Sequence, residues 1–491
     1  EFDLKNEIYN HYQSLCPLFY KTNRTGDLMS RITEDVSKVR MYVGPAIMYS
    51  INTVTLFIIV IAFMFSISPS LTIYSLLPLP ILSFTIYTLS KKIHSKSTFV
   101  QEKLAKLSTF SQEVFSGIKI IKTFNMQEIV TDNFDDLSKS SKRSSISLSK
   151  VQALFFPLMI LLIGISNIIV IYVGGNQYID GKIEIGVIAE FIIYITMLTW
   201  PVAVVGWVTS IIQQAEASQK RINAFLKTDP SIKNYGKSTN SQSSKITFKN
   251  VSFKYPKTKL YALEGINFTI DSGKTLGIIG KTGSGKSSIL ELITRSYDVT
   301  SGKIYLGNTE LSSYDLKSLS SFISYIPQNP FLFSDTIQEN IKFGNFKANK
   351  NEVIKVAKNS LIHSDISSFK DKYETLLGER GVNLSGGQIQ RVTIARALLK
   401  KSKILLLDDC LSSVDAKTER GILREIRKTK IDETVIMVSH KISSIMHADL
   451  IIVIDKGFIV EKGTHKELLS NNGFYKKLAQ KQLYNINTVK M

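Results

Sequence analysis

Four stretches in the N-terminal half of the chain are almost entirely apolar. They cover residues 46–65, 71–89, 155–174 and 185–208. A helix needs about 20 predominantly apolar residues to cross the hydrocarbon layer of a bilayer. Residues 41–90 and 151–179 contain no Asp, Glu, Lys or Arg. Buried helices of a water-soluble core are the alternative, but four such stretches, two of them paired with almost no loop, disfavour it. The pattern therefore predicts four transmembrane helices within residues 1–226.

The polar segments around these stretches also have helical periodicity. Within residues 91–150, apolar positions recur at roughly helical intervals. This predicts two long helices that extend into the cytoplasm and reverse near residues 125–133. Residues 1–40 predict a similar arm, which reverses near residues 23–26.

The net charge of +20 is compatible with nucleic-acid binding or with orientation in a membrane. Residues 91–150 hold eleven Lys or Arg against six acids, and the turn at 66–70 holds no charge. This asymmetry is typical of the positive-inside rule. It therefore favours a membrane protein without a nucleic-acid partner. The two cysteines, Cys16 and Cys410, are too few for a disulfide framework.

The second half follows a different pattern. A polar, turn-rich linker covers residues 227–244, and short apolar runs follow it. These runs lie at residues 246–253, 275–279, 322–326, 404–407, 434–438 and 450–454. Buried strands that alternate with helices predict a mostly parallel sheet, with its site at the carboxyl ends of the strands.

One of these strands leads into a glycine-rich loop with the pattern G-x-x-x-x-G-K-S. The loop consists of Gly280, Lys281, Thr282, Gly283, Ser284, Gly285, Lys286 and Ser287, and Ser288 follows. Glycines let backbone N–H groups face phosphate oxygens at the start of a helix. Lys286 can reach the β- and γ-phosphates, and Ser287 can hold Mg²⁺. A glycine-rich turn without a ligand is the alternative.

Five further residues have positions that suit a nucleotide site. Asp408 ends a buried strand and can hold Mg²⁺ through water. Asp409, beside it, can act as a general base or orient water. Gln328 can contact Mg²⁺ and the attacking water, His440 can contact the γ-phosphate, and Tyr255 can stack on adenine. Each residue alone would suit a structural role, but their order relative to the phosphate loop favours the site.

With these motifs, the chain resembles a half of an ATP-binding cassette (ABC) exporter. The motifs are Tyr255, the Walker A loop at 280–287, the Q-loop at Gln328, the segment 378–381, the signature at Leu384, Ser385, Gly386, Gly387 and Gln388, Walker B at 404–408, the D-loop at 412–415 with Asp415, and the switch His440. The membrane half resembles the family more loosely, at residues 25–28, 116–119 and Pro201.

The resemblance implies an all-α transmembrane bundle followed by an α/β P-loop nucleotide-binding domain with a helical subdomain. We expect the nucleotide-binding domain at residues 245–483 and a tail at 484–491. The resemblance also implies ATP and Mg²⁺ as ligands. Two nucleotide domains would meet head to tail, so that Ser385, Gly386 and Gly387 contact ATP bound to the partner. The protein would lie in a bacterial cell membrane, with the nucleotide-binding domain in the cytoplasm.

Two departures from the family pattern change the expectation. The family has six spans, whereas this sequence shows four and begins at Glu1. We therefore expect the bundle to be incomplete at its N-terminus, the alternative being a four-span protein. At position 409 the family has Glu, and the shorter Asp would displace the carboxylate; misplacement on the ångström scale can cost about 100-fold in rate. This favours the weakly hydrolysing half of a heterodimer over a homodimer with a tolerated Asp.

The sequence thus predicts an ATP-hydrolysing half of an exporter that moves an amphipathic substrate out of the cytoplasm by alternating access. The substrate can be a small molecule, a lipid or a peptide. One alternative is an ATP-gated regulatory or channel-like subunit with little hydrolysis of its own. A DNA-associated ATPase, the other alternative, would need a long coiled coil and no spans, contrary to the uncharged stretches.

Overall fold

The computed structural model describes the chain except for residues 235, 237, 240–242, 257, 259, 379, 380, 430, 431 and 489–491. Parts of the predicted linker (235, 237 and 240–242), of the segment before the signature (379 and 380) and of the tail (489–491) therefore lie outside the described residues. The chain forms two compact units. The first comprises Glu1–Ser14 and Asn23–Thr228, and the second comprises Leu15–Thr22 and Asp229–Met491.

Helices make up the N-terminal part of the chain. They are α1 (Phe2–Ser14), α2 (Pro17–Thr22), α3 (Thr25–Ser30), α4 (Val36–Met41), α5 (Ile47–Ile67), α6 (Pro69–Leu76), α7 (Pro78–Ser116), α8 (Ile118–Thr123), α9 (Gln127–Ala153), α10 (Phe155–Ile179) and α11 (Ile185–Leu226). Two π-helical turns, Arg31–Asp35 and Tyr42–Ala46, join α3, α4 and α5. Of these helices, only α2 belongs to the second unit.

Among the described residues, four helical stretches are long and apolar enough to cross a membrane. They are Thr25–Ile67, Pro69–Ser116, Gln127–Ile179 and Ile185–Leu226. Their packed centre contains Met64, Leu71, Val170, Phe191 and Leu198, all buried. The first two stretches meet at a short turn, where extended Ser68 accepts a hydrogen bond from the Leu71 N–H at 3.4 Å. This cap satisfies a backbone donor at the start of α6.

The N-terminal arm breaks between α2 and α3, at residues 23 and 24 within the predicted range 23–26, and it also has an earlier break that was not predicted. Helix α1 ends at Ser14, and the short helix α2 lies between it and α3. Pro17 accounts for the earlier break, because proline suits the first position of a new helix and not the interior of an old one. The reversal after the second span falls between α8, which ends at Thr123, and α9, which begins at Gln127.

A buried carboxylate fixes the first π-helical turn to the last helix of the first unit. Asp35 accepts hydrogen bonds from Ser218 Oγ at 2.9 Å and from Arg221 Nε at 2.9 Å. Only 3% of the Asp35 side chain is exposed, against 54% for Arg221. The turn therefore depends on α11 for its charge balance.

The described residues of the second unit form ten strands. They are β1 (Ile246–Lys254), β2 (Tyr261–Ile270), β3 (Thr275–Gly280), β4 (Ser301–Leu306), β5 (Thr309–Glu310), β6 (Ile323–Ile326), β7 (Ile404–Asp408), β8 (Thr434–Val438), β9 (Leu450–Asp455) and β10 (Phe458–Gly463). Six form a sheet of order β10-β9-β3-β8-β7-β6, parallel except for the edge strand β10. Strands β7 and β8 are buried throughout, as expected for parallel strands covered on both faces.

The prediction of one mostly parallel sheet is wrong for the first strand. Strand β1 belongs to a separate antiparallel sheet of order β2-β1-β4-β5. Its residues alternate between buried and more exposed positions, a pattern typical of antiparallel sheets with one covered face. The predicted α/β fold with a helical subdomain is otherwise confirmed.

Helices surround these sheets and supply the subdomain. They are α12 (Lys286–Ile293), α13 (Leu316–Phe322), α14 (Ile337–Lys342), α15 (Lys350–Asn359), α16 (His363–Ser368), α17 (Gly386–Leu399), α18 (Ala416–Thr429), α19 (Ile442–Ile445), α20 (His465–Ser470) and α21 (Phe474–Thr488). Helices α14 to α17 lie between β6 and β7 in the sequence. Buried residues such as Ile337, Val353 and Val392 join them to the main core.

Candidate nucleotide-binding site

The phosphate loop connects β3 to α12 and requires glycine at two positions. A Cβ atom on Gly280 would lie 2.1 Å from the Ile454 carbonyl oxygen, and one on Gly285 would lie 2.3 Å from the Ala262 carbonyl oxygen. Gly285 also has a φ of +100° and is the N-cap of α12 without a side-chain cap. The first N–H groups of α12 therefore have no capping side chain and can bind an anion.

The polar side-chain atoms of Lys286 and Ser284 lie inside this loop. The Lys286 ammonium donates to the carbonyl oxygens of Gly280 at 3.0 Å and Lys281 at 2.7 Å. Burial lowers the pKa of Lys286, while the charges of Asp409 and Asp408 oppose the shift. Ser284 Oγ is buried without a hydrogen-bond partner among the described residues. A phosphate group would satisfy this hydroxyl and the lysine, so the loop fits a nucleotide.

Ser287 and Asp408 meet as a hydroxyl and a carboxylate beside the loop. Ser287 Oγ donates to Asp408 Oδ1 at 2.9 Å, and the Tyr325 hydroxyl donates to Asp408 Oδ2 at 3.2 Å. Burial raises the pKa of Asp408, although both hydrogen bonds act against it. The part of the chain that the structure describes has no group of three or more His, Cys, Asp or Glu that could hold a metal. The oxygen pair suits Mg²⁺, which commonly takes its other ligands from phosphates and water.

Asp409 and His440 lie together at the ends of neighbouring strands β7 and β8. Asp409 has a φ of +43°, and its N–H donates to the Val438 carbonyl at 2.9 Å. Its Oδ1 accepts from the His440 N–H at 3.4 Å, and Gln482 Nε2 donates to the His440 carbonyl at 2.7 Å. Gln328 follows β6 with an exposed side chain. The structure thus places Asp409 and His440 in contact, while Gln328 is brought to the same sheet edge.

Tyr255 lies against the first turns of α12. Its ring packs edge-on against Phe253 and Tyr297, with centroids 4.7 and 5.2 Å away. Its hydroxyl lies 2.9 Å from Ser288 Oγ and 2.6 Å from Glu291 Oε2. Tyr255 therefore contacts α12, the helix that begins at the end of the phosphate loop.

The signature forms the start of α17. Ser385 is the N-cap, and its side chain forms a reciprocal capping box with Gln388. A Cβ atom on Gly386 would meet nothing within 4 Å, and one on Gly387 would lie 3.2 Å from the Ser413 carbonyl oxygen. The helix start is therefore open on the side of Gly386 and lies against the D-loop.

A cavity of about 540 Å³ lies between the signature and the D-loop, with Asp415 and Arg391 in its lining. Asp415 Oδ1 accepts from the Lys417 and Thr418 N–H groups, both at 3.0 Å. Arg391 is paired with Asp365 at 2.9 Å. Burial opposes ionisation of Asp365, but hydrogen bonds from Gln388 and Arg391 outweigh it and hold its pKa below the ordinary value.

Sequence reasoning missed two side chains at the site, Tyr325 and Glu291. Tyr325 pairs with Leu406 in the parallel register of β6 and β7. A polar residue near the end of the strand adjacent to Walker B would have been the signal for Tyr325. Glu291 lies three residues beyond Ser288, hence on the same helix face, but its contact with Tyr255 had no signal in the motif.

The fold and this site define a P-loop ATPase joined to a membrane bundle. The family model "ABC transporter transmembrane region" matches residues 1–202, and the family model "ABC transporter" matches residues 263–412. The uncharacterized ABC transporter ATP-binding protein YknU of Bacillus subtilis is 35% identical over 99% of this chain and 84% of its own length.

Other similar proteins have more specific names. The multidrug resistance-like ATP-binding protein MdlA of Escherichia coli is 34% identical over 98% of this chain and 82% of its own. The ATP-dependent lipid A-core flippase of Syntrophus aciditrophicus is 33% identical over 98% of this chain and 80% of its own. A bacterial Atm1-family ABC exporter with ATP bound has a TM-score of 0.83 and 25% identity, over 98% of this chain and 84% of that one.

The chain belongs to the ABC transporter family, as a half-transporter of the exporter type. It is an integral membrane protein with a cytoplasmic ATP-binding domain, and it couples ATP hydrolysis to transport. As in other exporters of the family, it functions as a dimer within the membrane. The resemblance of the motifs to those of an ABC exporter half is confirmed.

Proposed function

We propose that this half-transporter moves an amphipathic substrate out of the cytoplasm by alternating access. Support comes from a groove of about 790 Å³ in the first unit. Aromatic Phe57, Tyr87 and Trp207 line it together with polar Ser90 and Gln213. Pockets for small molecules combine apolar walls with a few polar groups in this way. Two relatives are named for multidrug resistance and for flipping a lipid, which agrees with such a cargo and does not favour an ATP-gated regulatory subunit.

The roles proposed for the site residues follow from their positions. Lys286 and the loop N–H groups would hold the β- and γ-phosphates, and Tyr255 would stack on adenine. Ser287, Asp408 and Gln328 would hold Mg²⁺, which when bound neutralises charge on the phosphates.

The remaining site residues would act on the attacking water and on the partner's nucleotide. Asp409 would orient the water and accept its proton, held near His440 by the contact between their strands. Ser385, Gly386 and Gly387 would present the positive end of α17 to ATP bound by the second subunit.

We further propose that the second subunit is a different chain. The observation that carries this proposal is the combination of an Asp at position 409 with an intact signature. Asp is one methylene shorter than the Glu of the family. The backbone of Asp409 has a positive φ of +43°. The site on this chain would bind ATP and hydrolyse it slowly, whereas its signature would complete a faster site on a partner that has Glu.

ATP hydrolysis by the chain alone in lipid nanodiscs tests this proposal. Asp409→Glu should raise the rate, by about tenfold or more if carboxylate placement limits it. Asp432→Glu, at an exposed position outside the site, is the matched control and should leave the rate unchanged. A high rate for the unaltered chain, with no gain from Asp409→Glu, would instead indicate a homodimer with a competent Asp.

A further inference from the structure

Glu291 connects the adenine side of the site to the N-terminal helix α2. Its Oε2 accepts a hydrogen bond from the Tyr255 hydroxyl at 2.6 Å, and its Oε1 accepts one from Lys21 Nζ at 2.9 Å. The Glu291 side chain is 20% exposed, so it is largely withdrawn from water. Both carboxylate oxygens therefore have partners, and the two partners come from distant parts of the sequence.

The phenol of Tyr255 is oriented by this carboxylate. Burial and the neighbouring charge of Glu291 raise the pKa of Tyr255, so the hydroxyl keeps its proton as a donor. That single proton goes to Glu291, and Ser288 Oγ, at 2.9 Å, then donates to the phenol oxygen. The hydroxyl is thus held between two side chains of α12, the helix that also carries Lys286 and Ser287.

Lys21 completes the arrangement from α2. Its ammonium also lies 3.3 Å from the Tyr297 hydroxyl and 5.4 Å from the centre of that ring. Leu18, one turn earlier, packs against the core of the second unit. Lys21 is 57% exposed, so its ion pair contributes modestly, and Tyr255 depends mainly on Glu291 itself.

We propose that Glu291 is a positioning residue for nucleotide-base binding: its carboxylate, held by Lys21, fixes the ring of Tyr255 in the orientation that stacks on adenine. This inference rests on the proposed role of Tyr255. Without the carboxylate the phenol loses its charged acceptor and keeps only the Ser288 hydroxyl as a hydrogen-bond partner, so the ring gains rotational freedom. Binding of the base then has to restrict the ring, while binding of the phosphates by the loop is unaffected.

The test compares a ligand that has an adenine base with a ligand that has phosphates alone. In the full chain in nanodiscs, with Mg²⁺ present, Kd is measured for a non-hydrolysable ATP analogue and for inorganic tripolyphosphate. Glu291→Ala should weaken the analogue about three- to tenfold, the value of one hydrogen bond, and leave tripolyphosphate unchanged. Glu291→Gln keeps an acceptor for Tyr255 and should retain most of the affinity. Lys21→Gln should give a smaller loss with the same selectivity.

Glu310→Ala is the matched control, because Glu310 also pairs with a lysine, Lys303 at 2.8 Å, at a different place in the fold. It should change neither Kd. Equal weakening of both ligands by Glu291→Ala, or no weakening, would overturn the inference. Tyr255→Ala distinguishes failure of the stacking role of Tyr255 from failure of the positioning role of Glu291. If Tyr255→Ala leaves the Kd of the analogue unchanged, the adenine-stacking role fails. If Tyr255→Ala selectively weakens the analogue but Glu291→Ala does not, only the role of Glu291 is contradicted.

Discussion

At the scale of single residues, burial and hydrogen bonding prepare the phosphate loop for an anion. Lys286 is almost fully buried, yet its hydrogen bonds in the structure go to backbone carbonyls. A buried ammonium without direct charge pairing is costly, and a phosphate would remove that cost. Ser284 Oγ, buried and unpartnered among the described residues, gains a partner in the same event.

Lys286→Ala should therefore weaken ATP binding at the site of this chain about tenfold or more, the range of a charge-assisted hydrogen bond. Photolabelling of the chain with an azido-ATP analogue measures this, with Lys303→Ala on the surface as the control. Labelling that stays at the unaltered level in Lys286→Ala would contradict the assignment of the loop.

Local motifs allowed the loop and the strand-end residues to be predicted, because their spacing is short and their geometry is fixed by glycine. The contacts of Asp408 with Tyr325 and of Glu291 with Lys21 were not predictable in this way. They join residues 83 and 270 positions apart, and such pairs depend on the register of strands and on where a distant helix docks.

At the scale of elements, the N-terminal arm shows what periodicity misses. The apolar pattern indicated helices correctly, but it did not show the break before Pro17 or the two π-helical turns. A π-helical turn adds one residue to a helical turn and is frequent at functional sites. The turn at Arg31–Asp35 is compatible with burial of Asp35 only because Ser218 and Arg221 reach it from α11.

Arg221→Gln should destabilise the first unit, since it leaves the buried Asp35 with Ser218 as its remaining side-chain donor. Removing one partner of a fully buried pair costs 3–5 kcal/mol, and the half-exposed arginine reduces this to about 1–2 kcal/mol. The melting temperature of the detergent-solubilised protein should fall accordingly. Lys220→Gln, next to it on the solvent side, should not change the melting temperature, and an equal fall in both variants would contradict a specific role for the pair.

At the scale of the whole molecule, the membrane and nucleotide units were predictable because their compositions differ so strongly. Uncharged stretches of membrane-spanning length appear in one half, and short buried strands with phosphate-loop chemistry appear in the other. The antiparallel sheet around β1 was not predicted, since a short alternating run does not reveal which strands will pair with it.

The account rests on the claim that ATP changes the membrane unit. Ser90, which is half-buried in the groove of α7 and α11, can report this change as Ser90→Cys in a chain with Cys16 and Cys410 replaced by Ser. The rate of labelling by a water-soluble maleimide from the cytoplasmic side is measured with and without ATP, and Ser108→Cys, exposed on the same helix, is the control. We expect ATP to slow labelling at position 90 but not at 108, and Lys286→Ala to diminish the effect. Equal rates at position 90 with and without ATP would contradict the account.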